Sequence, residues 1–539
     1  MDASDAYLVV MVPMSTVKRD VAKRAGIVGV STMASRVLGL VRESVVVALF
    51  PKDLVDAFQT AFLIPNTFRR LTGEGAFSPA VVSVFTKIWE EGDLNASRRF
   101  VRAVFGFTLL FLLTLTVLGV VGAEPLTFAA SWGSGGHEEK YRLATVLTRL
   151  MFPYVFFISL TALAMGLLNA AGRFFAPSFA PVLLNLSIIG CALGISGILP
   201  AYGVPSIYSL AVGVILGGVL QAVFQVPSLK SLRLLVLPST EFRHTGLVKV
   251  LRLTGPMVIG AAAYQFGIIF NNSLAWTLPH GSVMYINSAN RLIELPLAVL
   301  VMAISIAALP SLASLRGAGK TDEMLGAYRH ALSLALAVAT PAMVGLVVLA
   351  EPIVAILYQR GHFGYFETLQ TAAGLRFAAL GICSVALVRQ TVPVFYAMEN
   401  SRIPMVMTVV FVITNGVSGF VLKGPFLHVG LCMAISIAPT VQGVGLLVML
   451  RRTIGPLGLR QVLMSWLRVL AAVTPMTLTV WGTARLGDWR MGSINTGNYG
   501  VLALAVVLGT GVYLACAVMF RVPEVLEILR ALNRRWRRR

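Results

Sequence analysis

Along the 539-residue chain, apolar runs of near-constant length alternate with short polar stretches from one end to the other. Runs of about 20 residues match a helix that crosses a hydrocarbon core of ~30 Å. The runs are continuous and do not alternate with period two, which predicts helices rather than strands. In lipid every backbone polar group needs an internal partner, so a helix bundle is the architecture left. About fourteen transmembrane spans are predicted, at 27–49, 54–86, 100–122, 144–168, 178–199, 205–226, 248–278, 283–313, 329–350, 372–397, 404–422, 427–450, 462–484 and 499–520.

The polar stretches orient the bundle. One set of loops carries Lys18, Arg19, Lys23 and Arg24, then Lys87, Arg98, Arg99 and Arg102, then Lys230, Arg233, Arg243 and Lys249, and later Arg316, Lys320, Arg402, Arg451, Arg452 and the C-terminal arginines. The alternate loops are poorer in cations and hold Asp53, Glu138, Glu139 and Glu351. Cytoplasmic loops collect Lys and Arg, so both termini are predicted to be cytoplasmic. The same bias accounts for a net charge of +21 without a nucleic-acid partner. A charged fraction of only 12% and a mean hydropathy of +0.81 fit the membrane class.

Two echoes suggest an internal repeat. "LLNAAGRFFAP" (Leu167–Pro177) returns as "VFYAMENSRIP" (Val394–Pro404) 227 residues later, and "NTFRRL" (Asn66–Leu71) as "NSANRL" (Asn287–Leu292) at an offset of 221. An even number of spans separates the copies, which makes the repeat parallel. The expected organisation is a cytoplasmic leader over 1–25, a six-helix N-lobe over 26–228, a cytoplasmic linker over 229–246, a six-helix C-lobe over 247–452, two C-terminal helices over 453–522 and a basic cytoplasmic tail over 523–539. The apolar patch Tyr7–Met14 is too short to span and has no cleavage signal, so the leader reads as disordered, with Met14 a candidate start.

The chemistry lies where the apolar pattern is violated. "SRVLGLVRE" (Ser35–Glu43) puts Arg36 and Arg42 inside the first span. Arg69 and Arg70 follow "IPN", where Pro65 is expected to break the second span before the loose "TGEGAF" (Thr72–Phe77), and Arg291 sits in the eighth. An arginine at mid-membrane costs at least ~2.5 kcal/mol and persists beside water, a counter-charge or an anionic ligand. Arg36 and Arg42 lie about 120° apart on a helix, so they line two sides of a broad cavity or two depths of one. Snorkelling is the competing reading for Arg42, and pairing with Glu294 one turn on is the competing reading for Arg291. Glu43, Asp56 and Glu74 read as counter-ions first and ligands second, with Asn66 and Asn290 as polar support. Arginine binds phosphate bidentately and stays charged, so the set reads as an anion site for phosphate or diphosphate.

No catalytic constellation accompanies it. "GAGKT" (Gly317–Thr321) lacks the first glycine of a P-loop, where Ser314 stands, and no HExxH or GxSxG occurs. Cys191, Cys383, Cys432 and Cys516 are dispersed in apolar segments, so no metal, disulfide or cofactor is expected. The terminal "RRWRRR" (Arg534–Arg539), with Trp536, is expected to grip anionic membrane lipids.

"SRVLGLVRE", "DAFQTAFLIPNTFRRLTGEGAFSPA" (Asp56–Ala80) and "NRLIELPLAVLVMAISIAALPSLA" (Asn290–Ala313) resemble the MurJ/MviN family of lipid II flippases, in the multidrug/oligosaccharidyl-lipid/polysaccharide exporter superfamily. "NAAGRFFAPSFAPVLLN" (Asn169–Asn185) and "YQRGHF" (Tyr358–Phe363) fit the same family in the same order. The resemblance implies fourteen helices in two lobes around a cationic cavity, with helices 13 and 14 forming a groove for the lipid tail. It implies a transporter of the bacterial inner membrane that flips lipid II, the undecaprenyl-diphosphate-linked peptidoglycan precursor, to the outer leaflet by alternating access. Partners in cell-wall synthesis follow from the same likeness. The family's essential arginines fall on Arg36, Arg42, Arg69 and Arg291, and its acidic positions on Asp56 and Glu74. Asn290 stands where an aspartate often precedes the last arginine. The seventh span offers Gln265, Asn271 and Asn272 but no aspartate, which speaks against sodium coupling. A flippase for another polyprenyl-diphosphate sugar keeps the fold and changes the cargo. A membrane glycosyl transferase would need a general base or a metal-binding acid near the diphosphate, for which Asp56 and Glu74 lack a DxD-like pair. A non-catalytic scaffold would leave the arginines without a use.

Overall fold

The computed structural model describes residues 14–71, 77–133, 136–297 and 302–536. Among these residues the chain is helical, with no strand beyond one isolated bridge between Arg360 and Phe363. The first half runs α1 (Met14–Leu49), α2 (Lys52–Arg69), α3 (Phe77–Glu90), α4 (Leu94–Val121), α5 (Ala123–Ser131), α6 (Glu138–Met151), α7 (Tyr154–Ala170), α8 (Phe175–Gly194) and α9 (Tyr208–Ser231). The second runs α10 (Thr245–Trp276), α11 (Ser282–Pro296), α12 (Met302–Gly317), α13 (Thr321–Val348), α14 (Ala350–Tyr358), α15 (Tyr365–Ala379), α16 (Ile382–Ala397) and α17 (Arg402–Ile454). Then come α18 (Arg460–Ala484), α19 (Thr496–Met519) and α20 (Pro523–Trp536).

Several expectations change in detail. Residues 14–25, expected in a disordered leader, extend α1, as a stretch without proline or glycine before Gly26 allows. Pro65 does not break α2. It lies inside the helix, which continues to Arg69, since one missing N–H removes a single backbone bond. The predicted spans 404–422 and 427–450 form one assigned helix of 53 residues, but Leu427 is non-helical (φ 52°, ψ −134°). Gly430 meets the Leu422 carbonyl and Gly419 meets Leu431, so the chain doubles back there. Straight, it would measure ~80 Å, far beyond a bilayer core of ~30 Å.

Eight described helices are long and apolar enough to cross a membrane, and the α6–α7 pair, bent by 43° next to Pro153, makes a ninth. The other predicted spans are interrupted (α2–α3, α11–α12) or charged (α1), so apolarity alone does not single them out. Val117, Leu118 and Val121 of α4 and Val507 of α19 present apolar surface outward, as lipid contact requires.

The repeat is written into the helix boundaries. α1 and α10 end, α2 and α11 end, and α4 and α13 begin and end 227 residues apart. So do the nine-residue helices α5 and α14, each opening on Ala-Glu-Pro (Ala123–Pro125, Ala350–Pro352). Even a side-chain bond is duplicated. Ser78 Oγ donates to the Ala162 carbonyl at 3.3 Å, and Ser305 Oγ to the Arg389 carbonyl at 2.7 Å. The echo at 227 is thus the structural register, whereas the one at 221 is displaced by six residues. In true register Arg69 and Arg70 correspond to Pro296 and Leu297, and Arg291 to Ile64.

Within the first half α8 packs between α1 and α9, α7 against α3 and α9, and α2 against α6. Within the second, α16 packs on α13 and α17, α10 on α17, and α11 on α15. The linker is extended but docked: Ser239 N donates to the Arg102 carbonyl, and Arg98 Nε to the Arg233 carbonyl. α18 and α19 pack on each other and on α13, outside both halves.

Candidate functional site

α2 carries a polar stripe at helical spacing, Asp56, Gln59, Asn66 and Arg70, on an otherwise apolar helix. α11 carries another, Asn287, Arg291 and Glu294, at i, i+4 and i+7, while Tyr285, Ile286, Ala289, Leu292 and Ile293 bury the opposite face. The two stripes meet. Asn287 Nδ2 donates to Gln59 Oε1 at 2.9 Å, and Gln59 Nε2 donates to Glu43 Oε1 at 2.6 Å. Glu43 pairs with Arg42 at 3.6 Å, and both are buried (6% and 9% exposed). Arg42 therefore turns inward and does not climb to the headgroups. Arg291 pairs with Glu294 at 3.1 Å on a partly open face. Arg42, Glu43, Arg291 and the buried Tyr358 are close enough to interact electrostatically.

The structure thus brings together Arg42, Glu43, Arg291 and Glu294 through Gln59 and Asn287. Asn290 is half-buried beside them. Arg36 is half-buried about 9 Å along α1 from Arg42 toward the N-terminal side, and its Nε has no hydrogen-bond partner. Arg69 and Arg70 close α2 about 15 Å from Gln59, in the same direction, both half-buried. The Arg70 N–H donates to the carbonyl of Asn66, itself half-buried. Glu74 and Arg537–Arg539 lie outside the described residues.

Asp56 stands apart from the arginines. Its carboxylate (1% exposed) accepts from the N–H groups of Gly281 and Met284 at 2.8 Å each, capping α11 from the other half. Its counter-ion is Lys140 Nζ at 3.5 Å, which also lies over the Trp276 ring at 4.1 Å. The expectation that Asp56 balances arginine is corrected accordingly: its cation comes from α6, a lysine that reads in the sequence as one more loop charge.

The described polar ties between the halves gather at this end. Ser44 donates to the Leu357 carbonyl, and the His362 N–H to the Ala48 carbonyl. Lys52 pairs with Glu367 at 3.2 Å. Asn272 donates to Thr60 and to the Ala130 carbonyl, and Ser273 to the Ala129 carbonyl. His137 and His280, from facing loops, stack edge-on with ring centroids 4.4 Å apart. Burial and the neighbouring Lys140 and His280 hold the His137 imidazole below its ordinary pKa. Of the other residues of the seventh span, Gln265 is buried and Asn271 Oδ1 is buried without a partner. Among the described residues no group of three or more His, Cys, Asp or Glu could hold a metal.

The family model described as "Lipid II flippase MurJ" matches residues 45–500. The chain belongs to the MurJ family. Among its relatives, "Lipid II flippase MurJ" of Burkholderia cenocepacia is 33% identical over 456 residues, covering 84% of this chain and 87% of that protein. "Probable lipid II flippase MurJ" of Vibrio cholerae is 31% identical over 514 residues, covering 92% and 97%. A solved "Lipid II flippase MurJ, inward closed conformation" superposes with a TM-score of 0.75 at 22% identity, covering 92% of this chain and 98% of that one. An inward-facing multidrug resistance MATE family transporter of the MOP superfamily gives 0.65 at 18%, covering 80% and 99%. The structural likenesses carry the fold alone. Family membership makes this a multi-pass inner-membrane transporter and not an enzyme.

Gln59, Tyr358 and Lys140 are the participants that sequence reasoning missed. Gln59 was legible, since it shares the helical stripe of Asp56 and Asn66. Tyr358 and Lys140 carry no local signal.

Proposed function

We propose that this MurJ-family chain flips lipid II from the cytoplasmic to the outer leaflet by alternating access, with both termini in the cytoplasm. The observation that carries the reading is the relay Asn287–Gln59–Glu43–Arg42 with Arg291 beside it, built from both halves directly beneath a tied end. By the loop charges that tied end is the extracytoplasmic one. The diphosphate is held by Arg42 and Arg291, with Arg36, Arg69 and Arg70 nearer the cytoplasm. Release follows when the halves rock and the outer ties part. A recess of about 450 Å³ where α18 meets α13, α16 and α17, lined by Leu336, Leu387, Leu447, Leu463 and Trp466, supports a tail groove at the C-terminal helices. Arg460 also lines this recess. The basic tail anchors to anionic lipid.

The test is lipid II exposure in cells that hold this protein as their sole flippase, read with an externally added toxin that cleaves lipid II. Wild type should give cleavage product, and Arg42→Ala and Arg291→Ala should give at least ~100-fold less at equal membrane insertion, as for loss of a charge-assisted bidentate contact at the cargo. Normal product from both variants would refute the arginine assignment. No product from inserted wild type would move the cargo to another polyprenyl-diphosphate sugar.

A further inference from the structure

α16 crosses the membrane as an apolar helix with one charge, Arg389. Its backbone position is duplicated in the first half, because the carbonyls of Ala162 and Arg389 accept the same serine bond 227 residues apart. The side chains differ: Ala162 is buried (3% exposed), whereas Arg389 is exposed. Among the described residues Arg389 has no ion pair.

The direction of Arg389 follows from its neighbours on the helix. Cys383 and Thr391 face α13, bonded to Thr340 and Tyr328. Ser384 meets Thr440 and Leu387 meets Gly443, both of the second part of α17. Cys383, Ser384 and Leu387 also line the recess covered by Leu463 and Trp466 of α18. Arg389 lies on the order of 170° around the helix from that outer face. It therefore points to the side away from α18, flanked by α12, which continues the Arg291 helix. Snorkelling does not reach: Ala397, the cytoplasmic end of α16, is roughly 12 Å away along the axis, and an extended arginine covers little more than half of that. A charge at this depth needs water or an anion.

We propose that Arg389 is a further anion-binding residue of the transport path, a rung on the cytoplasmic side that meets the substrate's diphosphate before Arg42 and Arg291 do. This rests on the flippase reading above. The cation belongs to one repeat only, so it adds to the asymmetry that gives the path its polarity.

The experiment uses the full-length protein in detergent with three probes: undecaprenyl diphosphate, neutral undecaprenol and phosphatidylglycerol. Arg389→Ala should weaken undecaprenyl diphosphate binding roughly tenfold, as for one charged contact, with undecaprenol unchanged and Arg389→Lys recovering part. Arg389→Gln, which keeps the shape, should behave as the alanine variant, and matched melting curves exclude misfolding. Independently, Arg389→Cys in a background without native cysteines should react with a charged, impermeant thiol reagent from the cytoplasmic side, faster than Val507→Cys on the lipid face. Unchanged diphosphate binding in Arg389→Ala while Arg291→Ala loses it would overturn the inference. So would a loss confined to phosphatidylglycerol, or a cysteine that does not react. If neither Arg389→Ala nor Arg291→Ala affects the diphosphate, the parent reading fails and this one with it.

Discussion

The two halves share a scaffold and not a charge pattern. Helix ends recur at 227 residues from α1 to α16, yet Arg42 corresponds to Ile269, Arg291 to Ile64 and Arg389 to Ala162. Asp56 corresponds to Val283. Lys140 and Glu367 occupy equivalent places on α6 and α15 with opposite charge, and both reach the first turns of α2, at Asp56 and Lys52. Two like halves can rock about a common axis because their folds match. They hold one anion at one place because their side chains do not. The fold supplies the motion, and the broken symmetry supplies the site and the latch.

The largest expected effect separates the two ends of that latch. Asp56→Ala removes a buried carboxylate, uncaps α11 and leaves Lys140 unpaired, which should cost about 3–5 kcal/mol. Glu367→Gln disturbs a more exposed pair and should cost less than ~1 kcal/mol. Apparent melting temperatures of the purified proteins would show it, and equal losses would erase the distinction between the halves. Gly361→Ala should act at the same end with intermediate size. Its φ is +56° and a Cβ would lie 2.1 Å from the Ala48 carbonyl oxygen, so a loss of about 1–3 kcal/mol is expected, with the outer end opening. Cross-linking between cysteines placed at Ala48 and His362 measures that opening, and an undiminished yield would count against the contact.

The smallest effect is that of pH. In the closed arrangement His137 is held below its ordinary pKa, so the closed end binds protons less readily than the open one. The contact is complete at and above neutral pH and weakens as pH falls through the ordinary histidine range near 6.5. Protonated His137 faces His280, Lys140 and, on α2, Asp53 and Asp56, with Glu138 and Glu139 on its own helix. External acid should therefore raise labelling of outer-end cysteines several-fold, and His280→Gln should flatten the response. A response that survives in His280→Gln would assign it to other groups.

The hydrophobic pattern was enough for the class of protein, most helix positions, the parallel repeat and the family. Hydropathy and helical period are local properties, carried by neighbours three or four residues apart. The arginines in apolar runs were visible for the same reason, since each violates its own surroundings. Three things required the folded chain. Pro65 reads as a breaker but lies within a helix whose packing holds it straight. The 221 offset looked equivalent to the 227 offset until the helix ends distinguished them. Asp56 reads as an arginine's counter-ion, but its partners are Lys140, 84 residues away, and two backbone amides more than 220 residues away. Partners so distant depend on which helices touch, and that choice is made by packing the whole bundle. The sequence by itself determined where charge enters the membrane, and only the tertiary structure decided which charges meet.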